Sequence, residues 1–393
     1  MHESNPCRSW VNPMIPYGRH DITEDDIAAV VSVLRSDFLT QGPQVPAFEA
    51  AVAARVGVGH AVAVNSATSA LHIACIALGL GPGDVLWTVP NTFVASANCA
   101  LYCGAAVDFV DIDPVHYTMC PVRLSEKLGQ AAAKGQLPKV IVPVHLCGHS
   151  ADMAAIGALA RQYGIKVIED ASHAIGARYQ GRPVGDCRFS DICVFSFHPV
   201  KIITTAEGGL ATTQQPDLAQ KMQLARGHGI TRDPALMTHA PDGPWYYQQI
   251  SLGYNYRMTE LQAALGVSQI TRLEEMVARR TELAARYDRL LGELPLQRPG
   301  RMPDNTSSWH LYVIRVGAAR HLNVFKALRA EGIGVNLHYI PVHLQPFYLA
   351  MGFAPGQYPV SESYYAEAIS IPLYYGLSDE KQDQVVDALA RVL

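Results

Sequence analysis

The chain has 393 residues, 49% of them hydrophobic and 17% charged, with a formal net charge of −4. That is enough apolar material for a large core and too much for a disordered chain, and at about 150 residues per domain it predicts two domains. No basic block points to nucleic acid, and no run of about 18 apolar residues points to a membrane-spanning helix.

Residues 1–15 lack the apolar stretch of a signal peptide and read as a disordered extension. From about residue 60 to 215, short apolar runs at 60–64, 85–89, 106–110, 140–144, 166–168 and 191–197 alternate with segments of helical spacing such as 70–80, 124–134 and 151–163. Continuous rather than alternating apolar runs belong to strands buried on both faces, so the pattern predicts βαβ units around a mainly parallel sheet, an α/β fold. A long helical stretch over 259–291 reads as a connector. Pro299, Gly300 and Pro303 then punctuate the chain. A strand at 309–316, a helix at 324–331, a short strand at 334–337 and two closing helices predict a small α+β domain. The division is thus a large domain over 16–265, followed by a connector helix and small domain over 266–393. The eight cysteines are scattered and mostly set in apolar runs, as free thiols of a reducing cytoplasm are. His145, Cys147 and His149 match no paired ligand spacing, so no metal is expected.

In an open parallel sheet, ligands gather beyond the carboxyl ends of the strands. The run at 166–168 delivers Glu169 and Asp170 there. The run at 191–197 delivers Ser196 and, five residues on, Lys201. The chain has eight lysines, and Lys201 alone has apolar residues on both sides without the spacing of a surface helix. Burying an ammonium is costly unless it is paired or loses its proton, and a neutral amine is what Schiff-base chemistry needs. Pyridoxal phosphate accounts for the ensemble, because it needs a lysine, a carboxylate against its pyridine nitrogen, a phosphate cradle and a flat group on its ring. Asp170 supplies the carboxylate. The turn Asn65-Ser66-Ala67-Thr68-Ser69-Ala70-Leu71 opens a helix after the first strand and suits an anion. Ser196 adds a hydroxyl, and Phe93 is placed to stack on the ring.

The segments Asn65–Leu71, Asp170-Ala-Ser-His173, Phe195-Ser-Phe-His-Pro-Val-Lys201 with Glu207-Gly-Gly, and Leu252-Gly-Tyr-Asn-Tyr-Arg-Met-Thr-Glu-Leu-Gln-Ala263 resemble the DegT/DnrJ/EryC1/StrS family of nucleotide-sugar aminotransferases, in the same order from about Pro16 onward. The resemblance implies a pyridoxal-phosphate-dependent transferase of fold type I, with a mainly parallel seven-stranded sheet, working as a homodimer with shared active sites in the cytoplasm. It implies that Lys201 forms the Schiff base, that Asp170 pairs with the pyridine nitrogen and that His173 lies by the ring opposite Phe93. Ser66, Ala67, Thr68 and Ser196 would hold the phosphate, and Asn255 would cross the dimer interface to the partner's cofactor. Ala67, Ser196 and Asn255 also fall among the implied substrate contacts. Tyr17, the segment Asp37-Phe38-Leu39-Thr40 and the segment His338-Tyr339-Ile340-Pro341 match stretches that line the sugar-nucleotide pocket. Lysine at 201, where the family's dehydratases carry histidine, implies transamination from L-glutamate. The likeness is greatest to the branch that aminates C4 of a UDP-linked 4-keto-6-deoxy-N-acetylhexosamine for pseudaminic acid. A dTDP- or GDP-linked 4-keto or 3-keto sugar stays open as the alternative acceptor. A nicotinamide-dependent oxidoreductase would need Gly-x-Gly-x-x-Gly straight after the first strand, and the glycine-rich stretches here precede strands instead. A non-catalytic regulator would have no use for Lys201 and Asp170.

Overall fold

Uninterrupted apolar runs build a sheet covered on both faces. In the computed structural model, which describes residues 14–393, seven strands lie side by side: β1 (His60–Val64), β2 (Val85–Thr88), β3 (Ala106–Phe109), β4 (Val140–Val142), β5 (Lys166–Asp170), β6 (Ile192–Ser196) and β7 (Gly209–Thr213), in the order β1-β7-β6-β5-β4-β2-β3. Strands β2 to β6 pair in parallel, whereas β7 runs antiparallel to both β1 and β6. The sheet is therefore mixed. The apolar runs predicted six of these strands and left out β7, which ends in Thr212 and Thr213. Both threonines are buried, with hydroxyls donated to the Gly185 and Asp191 carbonyls at 2.9 and 2.7 Å, so their polarity is satisfied inside.

The two faces follow the period of two in each strand. Val62 and Val64 face one core with helices α3 (Ala67–Ala77), α4 (Ala95–Tyr102) and α7 (Pro216–Arg226). Ala61 and Ala63 face another with α2 (Gln44–Val56) and α8 (Glu260–Ile270). Further along the sheet that second side is covered by α5 (Pro121–Ala133) and α6 (Met153–Tyr163) over Trp87, Ile141 and Val167. Helix α1 (Glu24–Leu34) is closed at its start by a Thr23–Asp26 capping box and packs on α8.

The connector is two helices rather than one. After α8 the chain breaks at Thr271 and Arg272 and resumes as α9 (Leu273–Leu290). No glycine or proline marks the break. Arg272 is drawn out of the helical line by Asp21 at 2.7 Å and the buried Asp26 at 3.1 Å, contacts remote in sequence. Helix α8 belongs with the large lobe throughout, so the boundary expected after residue 265 falls inside an element.

In the small lobe, β8 (Tyr312–Arg315) and β9 (Ala368–Ile371) pair antiparallel, flanked by α10 (Ala318–Ala330), α11 (Pro359–Glu367) and α12 (Asp379–Val392). The strand expected at 334–337 is instead an irregular segment held by single bridges, Asn336 to Ser370 and Ile333 to Ile15. The expected extension over 1–15 lies outside the described residues except for Met14 and Ile15. Ile15 is buried in the small-lobe core, where Ile333 and Leu328 receive it.

Phe48 of α2 ties this scaffold to the site. It is fully buried and meets Phe197, the residue after Ser196, edge to face at 5.1 Å. Gly266 of α8 makes room for it, since a Cβ there would lie 2.6 Å from the Phe48 ring. Phe48→Ala is expected to lower stability by about 3–5 kcal/mol, the usual cost of an emptied aromatic site, and the midpoint of denaturant unfolding checks it.

Candidate active site

Strands β1, β2, β5 and β6 all end on one edge of the sheet, and their exits open onto a cavity of about 570 Å³. His310, Asn336, Leu337, His338 and Tyr339 of the small lobe close its other side.

The exit of β1 makes an anion cradle. Ser66 is extended and caps α3, its Oγ accepting from the Ser69 N–H at 3.1 Å. The N–H groups of Ala67 and Thr68 make no hydrogen bond among the described residues, and both residues line the cavity. Strand β7 passes so near that a Cβ on Gly209 would lie 2.4 Å from the Ala67 nitrogen. Only glycine permits that approach. Ser196, which pairs with Gly209 in register, brings its hydroxyl to the same end of the cavity.

Lys201 sits in the loop after β6 and lines the cavity. Its Nζ makes no ion pair or side-chain hydrogen bond among the described residues. Burial lowers the ammonium to about 8, with the Asp170 charge pulling the other way. Asp170, at the end of β5, is held at both oxygens: Ser172 N–H donates to Oδ1 at 3.1 Å and Ser96 Oγ donates to Oδ2 at 2.6 Å. His173 is buried, and burial, then the Lys201 charge and His338, push it well below its ordinary range, so the ring is neutral. Its Nδ1 accepts the Cys147 N–H at 3.2 Å. Its Nε2–H therefore donates to the Tyr339 hydroxyl at 3.1 Å. Phe93 stands at the cavity mouth, 56% exposed, 6.1 Å from the Tyr339 ring.

This donor set fits pyridoxal phosphate. A helix N-terminus and hydroxyls suit its phosphate, a carboxylate its pyridinium, an amine its aldehyde, and Phe93 and His173 its flat ring. Tyr17, His338 and Tyr339 also line the cavity, His338 with its Nδ1 against Ser370 Oγ at 2.8 Å. Burial, then Lys201, lowers His338 to about 4.

Other predicted residues lie elsewhere in the chain. Asp37, Phe38, Leu39 and Thr40 are exposed, and the Leu39 carbonyl accepts from Glu260 N at 3.0 Å. Ile340 is exposed, and Pro341 is buried beside Val342, whose N–H bonds the Pro90 carbonyl at 2.8 Å. Asn255 is exposed on a loop tied down on every side. Tyr254 N bonds Ala225 O at 2.7 Å, His228 N bonds Tyr254 O at 2.9 Å, Tyr256 N bonds Arg226 O at 3.0 Å, and Asn65 N bonds Tyr256 O at 2.9 Å. A second groove of about 640 Å³ lies beside this loop, lined by Gln41, Arg226, His228 and Arg257 among others. His145 and His149, set aside as metal ligands, have other work: His145 Nε2 contacts Glu169 at 2.8 Å, and His149 Nε2 accepts from Met302 N at 3.2 Å.

Sequence reasoning missed Thr92, Ser172, His198, Glu207, His310 and Asn336 in the cavity wall. His310 stands 4.3 Å from the His173 ring, and its buried Nδ1 has no hydrogen-bond partner among the described residues. Its position just before β8 was the available signal, but only the tertiary fold brings that strand across the cleft.

Fold and site together define a pyridoxal-phosphate-dependent transferase of fold type I. The chain belongs to the DegT/DnrJ/EryC1/StrS aminotransferase family, whose sequence profile matches residues 20–390. It is 39% identical over 390 residues to the spore coat polysaccharide biosynthesis protein SpsC of Bacillus subtilis, covering 97% of this chain and 98% of that one. Among solved structures it superposes on Helicobacter pylori PseC, an aminotransferase involved in the biosynthesis of pseudoaminic acid, with a TM-score of 0.89, 30% identity and coverage of 96% and 99%. It superposes equally, at 0.89 and 30% with 96% and 98% covered, on the sugar aminotransferase Spr1654 of Streptococcus pneumoniae in its pyridoxamine phosphate form. That protein is also known in a pyridoxal phosphate form.

Only the neutral amine attacks an aldehyde. Capture of pyridoxal phosphate by the cofactor-free protein is therefore expected to quicken as pH rises through about 8 and to level off above it. An unperturbed lysine would still be gaining rate near pH 10. Stopped-flow absorbance across this range checks it.

Proposed function

We propose that this chain moves an amino group from L-glutamate to C4 of a UDP-linked 4-keto-6-deoxy-N-acetylhexosamine, the step that serves pseudaminic acid formation, as a cytoplasmic homodimer with shared active sites. The observation that carries the transfer is the Lys201 amine, which lines the cavity with Asp170 and His173 and which burial lowers to about 8, so that a usable fraction is neutral at physiological pH. Pyridoxal phosphate, when bound, supplies the aldehyde that takes up the amine and a ring that accepts the electron pair of the broken C–H bond. Asp170 keeps the ring nitrogen paired with a negative charge. Lys201 Nζ takes the proton from the α-carbon of the donor and, in the return half-cycle, delivers one to C4 of the sugar. His173, neutral and fixed by Cys147 and Tyr339, would stand beside the ring without adding a second cation.

The likeness to the Helicobacter pylori enzyme, along 96% of this chain, supports the choice of sugar. The cavity lining, in which Tyr17, Thr92, Asn336 and His338 offer hydrogen bonds and no arginine is present among the described lining residues, suits hydrogen-bonded recognition of a nucleotide sugar and does not itself choose between UDP and dTDP carriers. Amination of the UDP sugar and of dTDP-4-keto-6-deoxyglucose is compared by mass spectrometry. A site built around particular sugar groups is expected to favour the UDP sugar by about 10⁴ in kcat/KM. A higher kcat/KM for the dTDP sugar would remove this acceptor and leave the aminotransferase standing.

Asn255 and residues 37–40 are assigned to the partner's site, because they are exposed, adjoin in sequence residues that line the second groove, and are not among the residues that line the cavity of their own chain. Lys201→Ala and Asn255→Ala homodimers are each expected to be inactive. Mixed one to one and allowed to exchange, they are expected to regain roughly a quarter of wild-type activity, since half of the dimers then hold one intact site. Verified mixed dimers without recovery would sink the sharing.

A further inference from the structure

The Asp170 carboxylate is gripped from behind by a residue that does not line the cavity. Ser96 lies in the first turn of α4, fully buried, and its Oγ donates to Asp170 Oδ2 at 2.6 Å across 74 positions of sequence. Its oxygen is also 2.8 Å from Thr92 Oγ1, four residues earlier in the loop before α4. A hydroxyl has one proton, and an ionised carboxylate only accepts. Ser96 gives its proton to Asp170, so Thr92 must be the donor in the second contact. The chain thus has one direction, from Thr92 through Ser96 to Asp170, and it ends on a negative charge. Ser172 N–H on Oδ1 completes the grip and fixes the plane of the carboxylate.

Helix capping does not account for this hydroxyl. The cap position of α4 is Val94, and no side chain caps that end. Ser96 satisfies its own N–H through the Phe93 carbonyl at 3.3 Å, and its carbonyl accepts from the Cys99 thiol. Among the described residues the Oγ has no partner besides Thr92 and Asp170. An apolar residue would fill the same space between α4 and the sheet without bringing a hydroxyl into the core, so the polar choice answers to the carboxylate.

We propose that Ser96, oriented by Thr92, is a positioning residue that fixes the Asp170 carboxylate and aims it at the pyridine nitrogen of the cofactor. This rests on the reading of Asp170 as the partner of that nitrogen. A buried carboxylate oxygen stripped of its donor is a poorer anion, and its hold on a protonated ring nitrogen weakens accordingly.

The test uses the holoenzyme loaded with pyridoxal phosphate labelled with ¹⁵N in the ring, whose resonance reports directly whether that nitrogen carries a proton. Wild type, Ser96→Ala, Ser96→Thr, Thr92→Val and Asp170→Asn are compared. Ser96→Ala is expected to move the resonance toward the unprotonated position, to loosen the cofactor and to lower kcat by about ten- to a hundredfold, the worth of one hydrogen bond to a charged group. Ser96→Thr keeps a hydroxyl and is expected to restore most of each signal. Thr92→Val, one bond further out, is expected to shift the resonance in the same direction by less. A Ser96→Ala protein that melts earlier but keeps the wild-type resonance would show a merely structural serine and overturn the proposal. Should Ser96→Ala fail to fold, an unmoved resonance in Thr92→Val overturns it instead. If Asp170→Asn leaves the resonance unmoved, the reading of Asp170 itself fails. If Asp170→Asn moves it and Ser96→Ala does not, Ser96 alone falls.

Discussion

Taking the Lys201 ammonium out of water costs several kcal/mol unless a counter-charge or the loss of its proton relieves it, and the cleft is arranged around that cost. Burial draws the amine down to about 8, while Asp170 limits the fall. The same cation governs its neighbours. Burial first, and then the Lys201 charge, holds His338 at about 4 and His173 well below its usual range, and His310 is pushed the same way by burial and by His173. A second cation beside Lys201 would be repelled and poorly solvated. The histidines are therefore present as neutral, hydrogen-bonding, flat surfaces, with the tautomer of His173 set by Cys147 and Tyr339.

That arrangement needs a loop held tightly at the ligand edge of the sheet, and the direction of β7 provides it. A parallel successor to β6 would require a crossover to the far edge of the sheet before returning. Because β7 is antiparallel, β6 ends and β7 begins at the same edge, and residues 197–208 stay there between them. The loop is stapled at its base, with Phe197 N bonded to Gly208 O and Thr205 N to Phe197 O, each at 2.9 Å. Phe197 is clamped in turn by Phe48 of α2. The position of the amine is thus fixed by apolar packing two layers away. The small lobe seals the cleft through contacts of the same kind: Val342 N to Pro90 O, Tyr339 N to Asn91 Oδ1 at 3.3 Å, and Tyr348 Oη to Asn98 Oδ1 at 2.6 Å all meet the β2–α4 region.

Much of this was legible before the fold. Lys201 stood out because an isolated charge in an apolar stretch has few structural uses, and Asp170 and the Asn65–Leu71 turn followed from the rule that ligands meet the carboxyl ends of parallel strands. What escaped has a common cause. Strand β7 was hidden because its threonines satisfy themselves through partners distant in sequence. The break at Thr271 was hidden because it is imposed by Asp21 and Asp26, some 250 positions away, and not by a local helix breaker. The segment at 334–337 has the apolar pattern of a strand but no continuous partner, since β9 offers it only Ser370. His310 and Asn336 reach the cleft only because the small lobe folds back over it. Periodicity and turn chemistry act over a few residues, and these features are decided by pairs that only the tertiary fold creates.

One last constraint concerns what a single chain leaves unused. Asn255 is exposed, yet its backbone is held, bridged to Gly227 and, through Tyr256, to Asn65 at the phosphate turn. Tyr254 and Tyr256 stack at 5.0 Å on either side of it, and His72 of α3 bonds the Tyr256 hydroxyl at 3.1 Å. Ordering an exposed loop to this degree costs conformational entropy that the loop's own hydrogen bonds to solvent do not require. A rigid, exposed amide suits a residue that something must meet at a fixed place, and the Asn255 side chain makes no hydrogen bond among the described residues. The groove beside it has the same character, with Arg257 and His228 lining an open space of about 640 Å³ and making no ion pair among the described residues. On the proposed reading, the helix that cradles one phosphate thereby also aims the residue offered to the other. The two sites of a dimer would then share one mechanical frame, running from α3 through His72 and Tyr256 to Asn255, so that a disturbance of one cradle is felt at its twin.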